Sequence, residues 1–132
     1  MPVKTSAPRV AATFWLWLSI VEPVLAQQRV AVPDARQLLI SAIDAPDGRS
    51  QGILTGQIAD AITERFKATT PIHIDVSTER RYAQAGCRRL KVSFWQDGVQ
   101  LPGAPAPRRQ TIDFGIDYCR DGMPPKSLKE AP

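Results

Sequence analysis

Residues 87–95 (CRRLKVSFW) and 111–119 (TIDFGIDYC) each alternate apolar with polar side chains, and each carries a cysteine at one end. Strict alternation marks a half-buried strand, because successive side chains leave a strand on opposite faces. Laid antiparallel with Cys87 opposite Cys119, the two segments set Leu90 against Ile116, Val92 against Phe114 and Phe94 against Ile112. The same alignment sets Arg89 against Asp117 and Ser93 against Asp113. A slip of one residue would oppose apolar to polar positions throughout, so three apolar pairs, an ion pair and a cysteine pair agree on one register.

Cys87 and Cys119 are the only cysteines. Their spacing fits neither a CxxC redox motif nor a four-ligand zinc set, so a structural disulfide is expected, with no metal and no cofactor. Both lie on the polar face of the ladder, where the bond would staple its open side. Closing a loop of about thirty residues stabilises a fold by roughly 3–4 kcal/mol in the chain-entropy view.

The compartment follows from the other end of the chain. Lys4 and Arg9 precede an apolar run over 11–21 (AATFWLWLSIV), Glu22 and Pro23 break it, and Val24-Leu25-Ala26 places small or modest residues before Gln27. This is the layout of a cleaved secretory signal over 1–26, and the run falls short of the roughly 20 residues that a membrane anchor needs. A periplasmic or secreted protein is expected, touching membrane only through the signal before cleavage. Roughly 106 residues remain, enough for one small domain over 27–119, with 120–132 as a flexible tail rich in Pro, Lys and Ser. The net charge of +4 falls to about +3 on cleavage, and acids alternate with bases along the chain, which reads as a mixed solvated surface.

Between these ends, Thr55 can cap a helix over 55–67 whose buried stripe is Ile58, Ala61, Ile62 and Phe66. Residues 71–77 (PIHIDVS) alternate as a strand. The stretch 36–45 (RQLLISAIDA) fits neither period cleanly. The turn signal Pro46-Asp47-Gly48 favours a strand, turn, strand arrangement ending near Leu54, with a short helix at 35–44 as the alternative. Residues 27–32 form a short leader or a first edge. Asp97-Gly98 is a hairpin signal that would pair Trp95 with Gln100, followed by an irregular Pro-rich stretch over 101–109. The fold class is therefore α+β: a small antiparallel sheet of three to five strands with the 55–67 helix packed on its apolar face and one disulfide.

Catalytic constellations are sparse. His73 is the lone histidine and lies on the polar side of its strand beside Asp75 and Ser77, with nothing marking a nucleophile elbow. Asp113 and Asp117 would sit about 13–14 Å apart, too wide for either glycosidase geometry, and Arg89 explains Asp117 more simply. The glycines of 48–56 (GRSQGILTG) lack a phosphate-loop ending. Basic clusters near Tyr82 and Trp95 have the residue types of a single-strand nucleic-acid groove, but a polar face with long side chains over the disulfide accounts for them more simply, and nucleic acid is not the expected partner. Trp95 faces away from Phe94 and needs a cover, either the 101–109 loop or a partner. Trp95, Tyr82, Arg88, Arg89 and Lys91 form the candidate interface.

The segments GCRRLKVSFWQDGVQLPG (86–103) and TIDFGIDYCRDGMPP (111–125) resemble small uncharacterised exported proteins of Gram-negative bacteria that travel with conjugative-transfer gene clusters. The resemblance covers about a third of the chain, carries no catalytic motif and transfers no functional residue. It implies an accessory role in a transfer or secretion apparatus. Residues and resemblance together lead to the expectation of a non-catalytic periplasmic interaction module whose partner is another envelope protein. An enzyme or binding protein acting on an envelope polymer, and single-strand binding during DNA transfer, are the alternatives.

Overall fold

A computed structural model describes residues 2–13 and 29–132. The signal reading turns on residues 14–26, which lie outside the described residues. The rest is an α+β fold: β1 (Val30–Val32), α1 (Arg36–Asp44), β2 (Arg49–Leu54), α2 (Gln57–Arg65), β3 (Ile72–Arg81), β4 (Cys87–Val99) and β5 (Arg108–Cys119). The strands form one sheet in chain order, antiparallel throughout except that β1 runs parallel to β2, pairing Val30 with Gly52 and Val32 with Leu54. The sheet is thus mixed and not purely antiparallel, and it carries two helices where one was expected.

The parallel pair explains why 36–45 is helical, against the strand reading. Parallel neighbours cannot be joined by a tight turn, and α1 is their crossover. Its buried residues Leu38, Leu39, Ala42 and Ile43 recur at helical spacing and pack on Val32, Ile74, Val76, Leu90 and Val92. The Asp34 carboxylate accepts the Arg36 backbone N–H (2.8 Å) and serves the helix start in place of a cap at Ala35. Pro46 follows its end. Gly52 lies directly beneath: a β-carbon there would come within 2.7 Å of the Leu38 side chain and 2.8 Å of the Val30 carbonyl, so the crossover needs this residue bare.

The β4–β5 ladder has the register derived above, from Cys87 opposite Cys119 through Arg89 opposite Asp117 to Phe94 opposite Ile112. The hairpin expected at Asp97-Gly98 is replaced by continued pairing: Trp95 faces Thr111 and Gln96 faces Gln110. The ladder then shifts register to set Val99 against Arg108. Gly98 takes φ 68° at this irregularity, so the dipeptide serves a bulge.

Cys87 and Cys119 are at bonding distance, S–S 1.94 Å, each 3% exposed. They occupy the face away from α1, as expected, but they are not open to solvent. Tyr82 packs on them, and the segment 120–132, expected to be a flexible tail, folds back beside Tyr82. Cys119 N–H donates to Met123 O, Ala83 N–H to Lys129 O, Ala131 N–H to Arg81 O, and Lys126 N–H to the Gln84 side chain.

Candidate functional site

The face away from α1 carries most of the residues singled out from the sequence. Strand pairing sets His73 beside Trp95, and their rings stack at 3.8 Å with planes 9° apart. The guanidinium of Arg109 lies over the indole at 4.1 Å and that of Arg29 at 5.4 Å. Trp95 Nε1–H donates to Asp75 (2.7 Å), which also accepts from Arg29 (2.7 Å), while Arg109 forms a two-pronged pair with Asp97 (2.7 and 3.0 Å). The cover for Trp95 is therefore its own neighbours on the sheet, Arg109 being the last residue of the Pro-rich stretch.

Tyr82 is buried, its hydroxyl donating to Asp117 (2.5 Å), and that hydrogen bond, followed by burial, raises the phenol above its ordinary pKa. Arg89 also pairs with Asp117 (3.2 Å), and Lys91 lies 3.8 Å from Asp113. Arg88 stands apart from the other four residues: it points to the α1 face and donates to the Ala42 carbonyl (3.2 Å), near the negative end of the helix. The structure thus groups Trp95, Tyr82, Arg89 and Lys91 and separates Arg88 from them. The cations Arg29, Arg89, Lys91 and Arg109 are each matched by a carboxylate, which suits a neutralised surface better than a phosphate track.

The His73 ring is held by its stack on Trp95. Its Nδ1 is buried without a hydrogen-bond partner. Burial first, then the charge of Arg29, hold its pKa below the ordinary value, although Asp75 and Asp97 pull the other way. A neutral ring is the form the fold accommodates. The unfolded chain then binds the proton more readily, so the stability contributed by neutral His73 is complete above about pH 6.5 and is lost as pH falls through the lowered folded value. In urea titrations between pH 7 and 5, the wild-type chain should lose more stability than His73→Phe, which keeps the stack and cannot titrate. Parallel losses in the two proteins would contradict this role. Among the described residues no group of three His, Cys, Asp or Glu side chains gathers where it could hold a metal.

The other face holds a feature that sequence reasoning missed. A nine-residue helix is about 14 Å long, whereas a thirteen-residue strand reaches about 40 Å, so α1 can cover only part of β4 and β5. Beyond it lies an apolar trough of about 500 Å³ lined by Leu54, Ile72, Phe94, Ile112 and Phe114 of the sheet and by Ile62 and Phe66 of the α2 region. Phe94 and Phe114 stack at 6.0 Å within it. Gln96 is buried at its end, its amide donating to Thr63 Oγ1 (2.9 Å) and Thr70 O (2.8 Å), which ties α2 to the sheet.

The α2 helix was expected over 55–67 with Thr55 as cap and with its stripe packed on the sheet. It begins after Gly56, Thr55 donates its hydroxyl to Val32 O, and only Ala59 is buried within the helix. Ile58 is 75% exposed and Ile62 37%. Ile112 (68%) and Phe114 (44%), read as core partners from the ladder, are open as well. The missed signal was one of area: the apolar faces of two long strands and a second helix exceed what one short helix can cover.

Among the described residues no helix is long and apolar enough to cross a membrane. Comparison with protein-family models, with curated proteins and with solved structures finds no match to this chain.

Proposed function

We propose that this chain is an exported, non-catalytic interaction module that docks an envelope protein in the apolar trough between α2 and the free half of the β4–β5 face. The observation that carries the reading is the trough itself: about 500 Å³ of almost wholly apolar space, open to solvent, floored by Phe94 and Phe114. Pockets of this size and lining accept aromatic or branched aliphatic anchors from a partner. The trough is favoured over the Trp95 face, where the indole is already stacked on both neighbours and the cations are already paired.

Export is supported by the sequence of 1–26 and by a cysteine pair at bonding distance, since disulfides belong mostly to oxidising compartments. The resemblance of 86–103 and 111–125 suggests that the partner belongs to a conjugative-transfer or secretion apparatus in the periplasm.

A photo-reactive amino acid placed at Ile62, on the trough wall, should crosslink a heavier envelope protein in intact cells, whereas the same group at Lys91, on the opposite face, should not. Crosslinks from position 91 alone, or from neither position, would reject the trough as the docking site.

A further inference from the structure

We infer that β5 is also a pairing edge for a second copy of this chain, joining two five-stranded sheets about a two-fold axis at Asp113. Both ends of the sheet are edges, but β1 has three residues and β5 has twelve. Edges of soluble proteins are usually blunted by proline, lysine or a bulge. Between Gln110 and Tyr118 there is neither proline nor lysine, and the pairing with β4 is regular from Gln110 to Cys119. Among the described residues nothing pairs with its outer side along this length.

The direction of the backbone groups can be worked out. In an antiparallel ladder, pairs that exchange two hydrogen bonds alternate with closer pairs that exchange none. Cys87 and Cys119 have Cα atoms 4.0 Å apart, the spacing of a closer pair, and Cys119 N–H turns away from β4 to Met123 O. The next residue, Arg120, donates to Gly86 O at 2.9 Å, as the alternation requires. Ile112, Phe114 and Ile116 therefore bond β4, whereas Thr111, Asp113, Gly115 and Asp117 present N–H and C=O to the free edge.

The strand is complementary to itself when reversed. Its start is basic (Arg108, Arg109), its acids lie at the middle and beyond (Asp113, Asp117), and its exposed apolar pair is Ile112 and Phe114. With Asp113 on the axis, Ile112 faces Phe114 of the second copy and Arg109 comes opposite its Asp117, each twice by symmetry; Arg109 and Asp117 keep their own partners Asp97 and Arg89, so this contact adds only complementary charge. The cost is Asp113 opposite Asp113, with Lys91 3.8 Å from each carboxylate to offset it. Moving the axis to Phe114 loses the Arg–Asp pairs, and moving it to Ile112 loses the Ile–Phe pairs. A one-residue slip sets apolar against polar side chains throughout. The paired sheet would carry both α1 helices and both troughs on one continuous apolar face.

The test uses the protein purified from the envelope fraction, with mass measured by light scattering across a concentration series. The wild-type chain should approach twice its monomer mass. Asp113→Pro removes an outward N–H on each side of the axis and should leave the β4 ladder intact. It should weaken the dimer by roughly tenfold to a hundredfold with an unchanged far-UV spectrum. Ile112→Lys should act in the same direction through the side-chain contact. A wild-type chain that stays monomeric at every concentration, or a dimer that keeps its affinity in both folded variants, would overturn the pairing. Neither result bears on the Ile62 crosslink, so the two proposals fail separately.

Discussion

Replacing Cys87 and Cys119 together with alanine should lower the free energy of unfolding by about 3–4 kcal/mol, and reducing the wild-type protein should do the same. The loop closed by the bond spans 32 residues and includes the whole β4–β5 turn, so opening it restores to the unfolded chain the freedom that the bond removes. The ladder has contacts that do not depend on the bond: Leu90, Val92 and Ile116 pack beneath α1, and Arg89 pairs with Asp117. The loss should therefore lower the melting temperature, on the order of 12–30 °C for a domain of this size, and leave the native spectrum unchanged at low temperature. Because small domains have about 5–15 kcal/mol in total, this one bond supplies a large share of the net stability. Urea titration of the oxidised, reduced and double-alanine forms is the measurement. A difference below about 1 kcal/mol would mean that the denatured chain holds these two ends together without the bond.

That register could be read from the sequence because each strand supplied its own alternation and the cysteines supplied the alignment. What stayed hidden depended on partners distant in the chain. The four residues Leu38, Leu39, Ala42 and Ile43 have helical spacing, yet Pro46-Asp47-Gly48 argued equally for a hairpin. The choice is made by β1 lying parallel to β2, which no local pattern announces. For Trp95 the alternation identified the correct face, but its cover comes from His73 through the β3–β4 register, which shifts between Thr78 and Arg80, and from Arg109 of β5 and Arg29 just before β1. Of the candidate interface, Arg88 was misplaced in company: its odd-numbered neighbours Arg89 and Lys91 share the Trp95 face, and period-two geometry sends Arg88 to the other. The trough went unread because α2 has the stripe of a packed helix, and spacing says which side of a helix is apolar without saying whether anything lies against it.

The same distinction gives the second large effect. Leu38→Ala in α1 should cost about 2–5 kcal/mol, because its side chain is buried on Gly52 and the sheet, and its removal leaves a cavity above a residue with no side chain to fill it. Ile58→Ala in α2 should stay within about 0.5 kcal/mol, since the isoleucine is three-quarters exposed and its removal leaves no cavity. Read from the sequence alone the order would be reversed, for Ile58 opens the most regular helical stripe in the chain while residues 36–45 look ambiguous. The comparison thus measures which helix supports the fold and which is left for a partner. If α2 is a docking wall, Ile62→Ala should resemble Ile58→Ala in the isolated protein, and its cost should appear only when the envelope partner is bound. Equal losses for Leu38→Ala and Ile58→Ala in urea would place α2 in the core and close the trough.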